Sequence, residues 1–178
     1  MRSESLDDTA RLGGALGRWL APDGVLLLDG PLGSGKTALV RGVAAGLGLA
    51  PDAIRSPSFT LIHIHGEADG QLVHIDLYRL HGDADAPASL ETLDDLGLWE
   101  LLDGPGVKAI EWGVRLGDAL DALPAPPRIA RVRFAPVPHA DANEAVDDDG
   151  ADARRRIALT GDLPPSLPLP FWSPSTPK

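Results

Sequence analysis

The residues Gly30-Pro31-Leu32-Gly33-Ser34-Gly35-Lys36-Thr37 fit the pattern GxxxxGK[ST] and stand directly between the apolar run Val25 to Leu28 and a stretch with helical spacing. That setting predicts a buried strand, a wrapped loop and a helix in immediate succession. Glycines let the loop turn several N–H groups inward, and the helix after it directs its positive end at whatever the loop encloses. The phosphates of a nucleotide are such a guest. Lys36 is expected to reach the β and γ phosphates, and the Thr37 hydroxyl to ligate Mg2+.

Around this core the hydrophobic spacing predicts further elements. Leu6, Leu12, Leu16, Trp19 and Leu20 recur at helical intervals over Ser5 to Leu20, with Asp7 and Asp8 in the first turn and Pro22-Asp23-Gly24 as the stop. Lys36 to Leu47 reads as a second helix that ends near Gly46 and Gly48. Ser56-Pro57-Ser58-Phe59-Thr60 reads as a rigid polar bend, because Pro57 drives Ser56 out of helical geometry. Phe59 to His65 and Leu72 to Leu77 then form the strands of an expected hairpin. A helix is expected over Leu90 to Leu102, weakened by Gly97, followed by a strand over Val107 to Trp112. Arg128 to Pro136 and Arg155 to Leu159 alternate as strands do. Between them, residues 139–152 hold six acidic side chains and no Lys or Arg, the composition of a solvated mobile loop. Residues 163–178 include six prolines and are expected to form an extended tail. The expected organisation is one domain over residues 1–162 followed by that tail.

Composition narrows the classes of function. A chain of 178 residues suits one core, and the absence of cysteine excludes disulfides and thiolate metal sites. Its formal charge of −10 opposes tight direct binding to a phosphate backbone, so any nucleic acid is expected to be held by a partner. Apolar runs are short and Met1 to Ser5 lacks the apolar core of a secretion signal, so no membrane span and a cytoplasmic address are expected.

A triphosphate with Mg2+ needs acidic side chains to hold the ion and orient a water. Glu111 closes the strand Val107 to Trp112, at the carboxyl end where ligands of such sheets collect. Asp76 lies between Ile75 and Leu77, where an acid is costly unless it ligates or is paired; Arg79 and Arg55 are the candidate ion partners. His63, His65 and His74 offer a weaker alternative, a metal site across the hairpin, and Tyr78, Trp99 and Trp112 a stacking surface.

Taken together, the phosphate loop, Ser56 to Thr60, His74-Ile75-Asp76-Leu77-Tyr78-Arg79-Leu80 and Ile110-Glu111-Trp112 resemble the bacterial TsaE (YjeE) ATPases, in the family's order and spacing, from about Leu6 to Leu116. The resemblance implies an α/β P-loop fold in three layers, with a mixed, partly antiparallel central sheet flanked by helices. It implies ATP and Mg2+ as ligands and slow hydrolysis that serves the N6-threonylcarbamoyladenosine modification of tRNAs reading codons that begin with A. Partner proteins TsaB and TsaD are implied to bind the tRNA and perform the transfer. By position, Glu111, Asp76 and Lys36 take the catalytic roles, and Thr37, Glu111 and Asp76 the metal. Nucleotide contacts fall to Gly30, Pro31, Leu32, Gly33, Ser34, Gly35, Lys36, Thr37 and Ala38, with Trp112 beside the second acid. Ser56 to Thr60 matches a switch-like loop near the γ-phosphate, where Ser58 and Thr60 are implied to sense the nucleotide state. Thr9 matches a threonine near the adenine, although helix capping accounts for a polar residue there equally well. Two positions depart from the family pattern: Pro31 replaces an Asp and Ala38 a second threonine, which predicts slower hydrolysis or greater reliance on Glu111.

Other functions share such a loop. A small-molecule kinase needs an arginine-bearing lid over the γ-phosphate, and the sequence shows no arginine-rich segment of that kind. A nucleotide-gated binding module with little hydrolysis is compatible with Pro31 and Ala38. A GTPase is disfavoured, because no NKxD-type guanine-reading motif occurs.

Overall fold

Strand β2 (Val25–Asp29) is buried on both faces, because it has parallel neighbours on both sides and helices above and below. The structure, a computed structural model, describes residues 2–3, 5–67, 70–80, 89–117, 120, 128–136 and 155–161. The other elements in chain order are β1 (Arg2–Ser3), α1 (Leu6–Leu20), α2 (Lys36–Gly46), β3 (Ile62–His65), β4 (Leu72–Asp76), α3 (Leu90–Asp95), α4 (Leu98–Asp103), β5 (Val107–Glu111), β6 (Ile129–Pro136) and β7 (Arg155–Gly161). Short 3-10 turns cover Pro51–Ala53 and Gly113–Leu116. The strands form one sheet in the order β1-β7-β6-β2-β5-β4-β3. Its centre, β6-β2-β5-β4, is parallel, while β3, β7 and β1 pair antiparallel.

Side chains alternate across the strands and divide the core in two. Leu26 and Leu28 face Leu12, Leu16, Leu39, Val40 and Val43 of α1 and α2, while Val25 and Leu27 face Leu93, Leu98 and Leu102 of α3 and α4. The expected three-layer, mixed-sheet α/β architecture is therefore present. Helix α1 begins where predicted: the Ser5 side chain accepts a hydrogen bond from the Asp8 N–H at 3.1 Å, and Asp7 and Asp8 occupy the first turn.

Several boundaries differ from the sequence reading. The single helix expected over Leu90 to Leu102 is two, because Gly97 adopts a left-handed conformation (φ 61°) and becomes the N-cap of α4. Strand β3 starts at Ile62, since residues 58–60 turn and Leu61 has φ 66°. Strand β5 ends at Glu111, because Trp112 is left-handed (φ 62°). The acidic segment 139–152 and the proline-rich segment 163–178 lie outside the described residues, so the expected domain limits at 162 and 163 do too. No helix among the described residues is long and apolar enough to cross a membrane.

Helices α1 and α2 touch through glycines. A Cβ added at Gly42 would lie 2.1 Å from the Ala10 carbonyl oxygen, and one at Gly13 2.2 Å from that of Leu39. The obstacle in each case is backbone, which cannot swing aside. At Gly14 the nearest atoms would be 3.6 Å away, an ordinary contact. Propensity alone predicts that Gly→Ala in a helix gains about 1 kcal/mol. Gly42→Ala is expected to lose stability instead, by about 1–3 kcal/mol or more through overpacking, whereas Gly14→Ala is expected to be neutral or stabilising. Urea denaturation of the two variants measures this difference in sign.

Candidate nucleotide site

The loop between β2 and α2 ends in Gly35, whose φ of 100° is left-handed and which caps α2 with no side-chain hydrogen bond. The first N–H groups of that helix thus have no side-chain cap and suit an anion. Within the loop, the buried Ser34 hydroxyl has no partner among the described residues. Lys36 folds back along the loop, and its ammonium donates to the carbonyls of Gly30 and Pro31, each at 2.9 Å. It also lies 4.5 Å from the centre of the Trp112 ring. Burial pushes the Lys36 pKa down, opposed by the negative charges of Glu111, Asp76 and Asp29. An unpartnered hydroxyl, open amides and a buried cation fit a polyphosphate.

Sheet register brings the acids to this loop. Leu28 pairs with Glu111 across β2 and β5, and Asp76 pairs with Glu111 across β4 and β5, so both carboxylates stand at the carboxyl ends of adjacent parallel strands. Both are buried, 2% and 3% exposed, which requires donors for each. Glu111 Oε1 accepts from the Thr37 hydroxyl at 2.8 Å and pairs with His74 Nε2 at 3.0 Å. Asp76 Oδ2 accepts from Ser56 (2.6 Å) and Ser58 (2.5 Å), and its Oδ1 from the Tyr78 N–H (3.0 Å). Neither candidate arginine pairs with Asp76. Arg55 donates to the Asp52 and Ile54 carbonyls, and Arg79 lies 4.2 Å from the centre of the Phe59 ring.

Trp112 is held by its N–H on the Leu28 carbonyl (2.7 Å), and its ring lies 5.2 Å from that of Tyr78. Trp99 packs instead against the core beneath α3 and α4. Thr60 bonds His63 Nε2 at 2.9 Å and is not among the Asp76 donors. Thr9 is fully buried, and its hydroxyl is engaged by the Ser5 carbonyl (3.2 Å) and the Ser3 hydroxyl (2.8 Å), the partners of a helix start. Leu32, at 68% exposed, and Phe59, at 84%, are open to solvent, while Ala38 is half-buried at the start of α2.

His63, His65 and His74 fall on one face of the β3–β4 pair, yet no group of three or more His, Asp or Glu among the described residues is placed to hold a metal. Burial and the neighbouring His74 and His63 push the His65 pKa down. Two carboxylates and one hydroxyl fit Mg2+, which completes its shell with phosphate oxygens and water, better than a metal that needs an all-protein cage. Sequence reasoning missed two members of this site. Ser56 supplies a second donor to Asp76, and His74 contacts Glu111; its i, i+2 spacing from Asp76 on a strand was the available signal.

Comparison with known proteins gives the family. The family model for the threonylcarbamoyl adenosine biosynthesis protein TsaE matches residues 3–138. The tRNA threonylcarbamoyladenosine biosynthesis protein TsaE of Treponema pallidum is 44% identical over 119 residues, 66% of this chain and 81% of that protein. Its namesake in Mycobacterium leprae is 37% identical over 140 residues, 75% and 83% of the two chains. The crystal structure of Bacillus subtilis YdiB superposes with a TM-score of 0.54 at 26% identity and covers 90% of this chain and 83% of its own. On the matched span and these identities, the chain belongs to the TsaE family.

Proposed function

We propose that this chain is the ATP-binding, slowly hydrolysing subunit that supports formation of threonylcarbamoyladenosine on tRNA, together with TsaB and TsaD. The observation that carries the reading is the 2.8 Å hydrogen bond from Thr37 to Glu111, which joins the start of the phosphate-loop helix to an acid at a strand end. The relatives' names supply the pathway, and the net charge of −10 agrees with leaving the tRNA to partners.

In this reading the loop amides and Lys36 bind the phosphates, and the Lys36 ammonium exchanges the Gly30 and Pro31 carbonyls for phosphate oxygens. Because the Thr37 proton is directed at Glu111, the hydroxyl's lone pairs remain for Mg2+. Glu111 and Asp76 hold the ion directly or through water and orient the water that attacks the γ-phosphate. Bound Mg2+ neutralises phosphate charge during that transfer. Asp76 also tethers Ser56 and Ser58, so the segment Ser56 to Thr60 is coupled to the metal and reports whether a γ-phosphate is present.

Phosphate release from ATP is expected to be weak for this protein alone and to rise when TsaB and TsaD are added. Glu111→Gln is expected to lower that turnover on the order of 100-fold, the scale of a positioned acid or base, while retaining ATP. Lys36→Ala is expected to lose ATP binding. No stimulation by the partners, or a phosphorylated metabolite in place of inorganic phosphate, contradicts the reading. A second measurement needs no partners: when Lys36 turns from the Trp112 ring toward phosphate, tryptophan emission changes on ATP addition, and Trp112→Phe removes the change. An equal change in Trp112→Phe contradicts the assignment.

A further inference from the structure

We propose that His74 is the positioning residue for Glu111: its imidazole Nε2 donates to Oε1 and fixes the rotation of the carboxylate that faces Thr37. The inference rests on the nucleotide reading for its consequence, but its geometry stands apart from it. Leu72, His74 and Asp76 share one face of β4 by alternation, and His74 is register partner to Ala109 of β5. Opposite so small a side chain, the ring reaches diagonally to Glu111, two residues further along β5, and meets Oε1 at 3.0 Å.

Burial makes this arrangement expensive for a structural residue. His74 is 0% exposed, and its Nδ1 has no partner among the described residues. An aliphatic side chain fills such a place without leaving a polar atom unpaired. With the proton on Nε2, the unpaired atom is a lone pair, which interiors tolerate better than an orphan N–H. The return is at Glu111. Thr37 and His74 both converge on Oε1, and no described residue donates to Oε2, so one oxygen is pinned and the other is left for a metal or a water. An imidazole in this role stands behind the acid as outer partners stand behind metal ligands.

The test contrasts three variants of the full chain. His74→Gln can place an amide N–H near the Nε2 position, His74→Asn places one near Nδ1, and His74→Leu removes the donor. Loss of the donor is expected to weaken Mg2+ binding by the ATP complex about 10–100-fold, with metal-free ATP affinity retained. His74→Gln is expected to restore most of the loss and His74→Asn none of it. Equal behaviour of His74→Gln and His74→Asn overturns the proposal, even if His74→Leu fails to fold. Ring nitrogen NMR of the nucleotide-free protein gives a separate readout, so a failure to bind ATP sinks the proposed function without deciding this point. The expected spectrum has His74 protonated at Nε2, with that resonance displaced in Glu111→Gln. A proton on Nδ1, or no displacement, overturns the proposal.

Discussion

The hydrogen bond between Thr37 and Glu111 spans 74 positions of sequence and joins the two halves of the site. It can form only if β2 and β5 lie side by side, parallel and in register, so that Leu28 and Glu111 reach the same edge, to which β4 adds Asp76. A shift of one residue in β5 would turn Glu111 to the opposite face and bring Ile110 to the loop. Apolar burial on both faces of β2 and β5 therefore does more than stabilise: it holds the register on which the acids depend.

Helix α2 must also be aimed. Its first residues carry the cation and the hydroxyl, and its glycines lie against the backbone of α1 at distances that no Cβ permits. Close backbone approach fixes the helix axis more tightly than long side chains can. The loop is then braced from the other side, where Trp112 bonds the end of β2 and its ring covers the Lys36 ammonium. Buried Asp76 and Glu111 meet five donors between them, four of them side chains, which permits two carboxylates on adjacent strands within an otherwise apolar layer.

Local signals were readable in advance. The β2–loop–α2 unit, the amphipathic helix α1 and the β3–β4 hairpin follow from apolar spacing, glycines and turn residues close together in sequence, and the acids at 76 and 111 stand out because charge at a strand end demands a reason. What escaped depends on distance or on register. Hydrophobic spacing over Leu90 to Leu102 is the same for one helix or two, and the left-handed Gly97 decides it. The two-residue β1 is a strand only because β7 lies beside it. His74 reaches Glu111 along a diagonal that exists only once β4 and β5 are aligned, and Asp76 finds serines rather than arginines because the Ser56 to Thr60 segment folds back over it.

In the proposed function, open amides, the Lys36 ammonium and the Thr37–Glu111 pair together clasp a magnesium-complexed triphosphate. Titration calorimetry of the folded, purified protein with ATP tests it most directly, in the presence and absence of Mg2+. Saturable binding to one site that tightens with Mg2+ is the predicted result. Absence of heat with ATP and Mg2+ under conditions that preserve the fold, or binding indifferent to the ion, would contradict it.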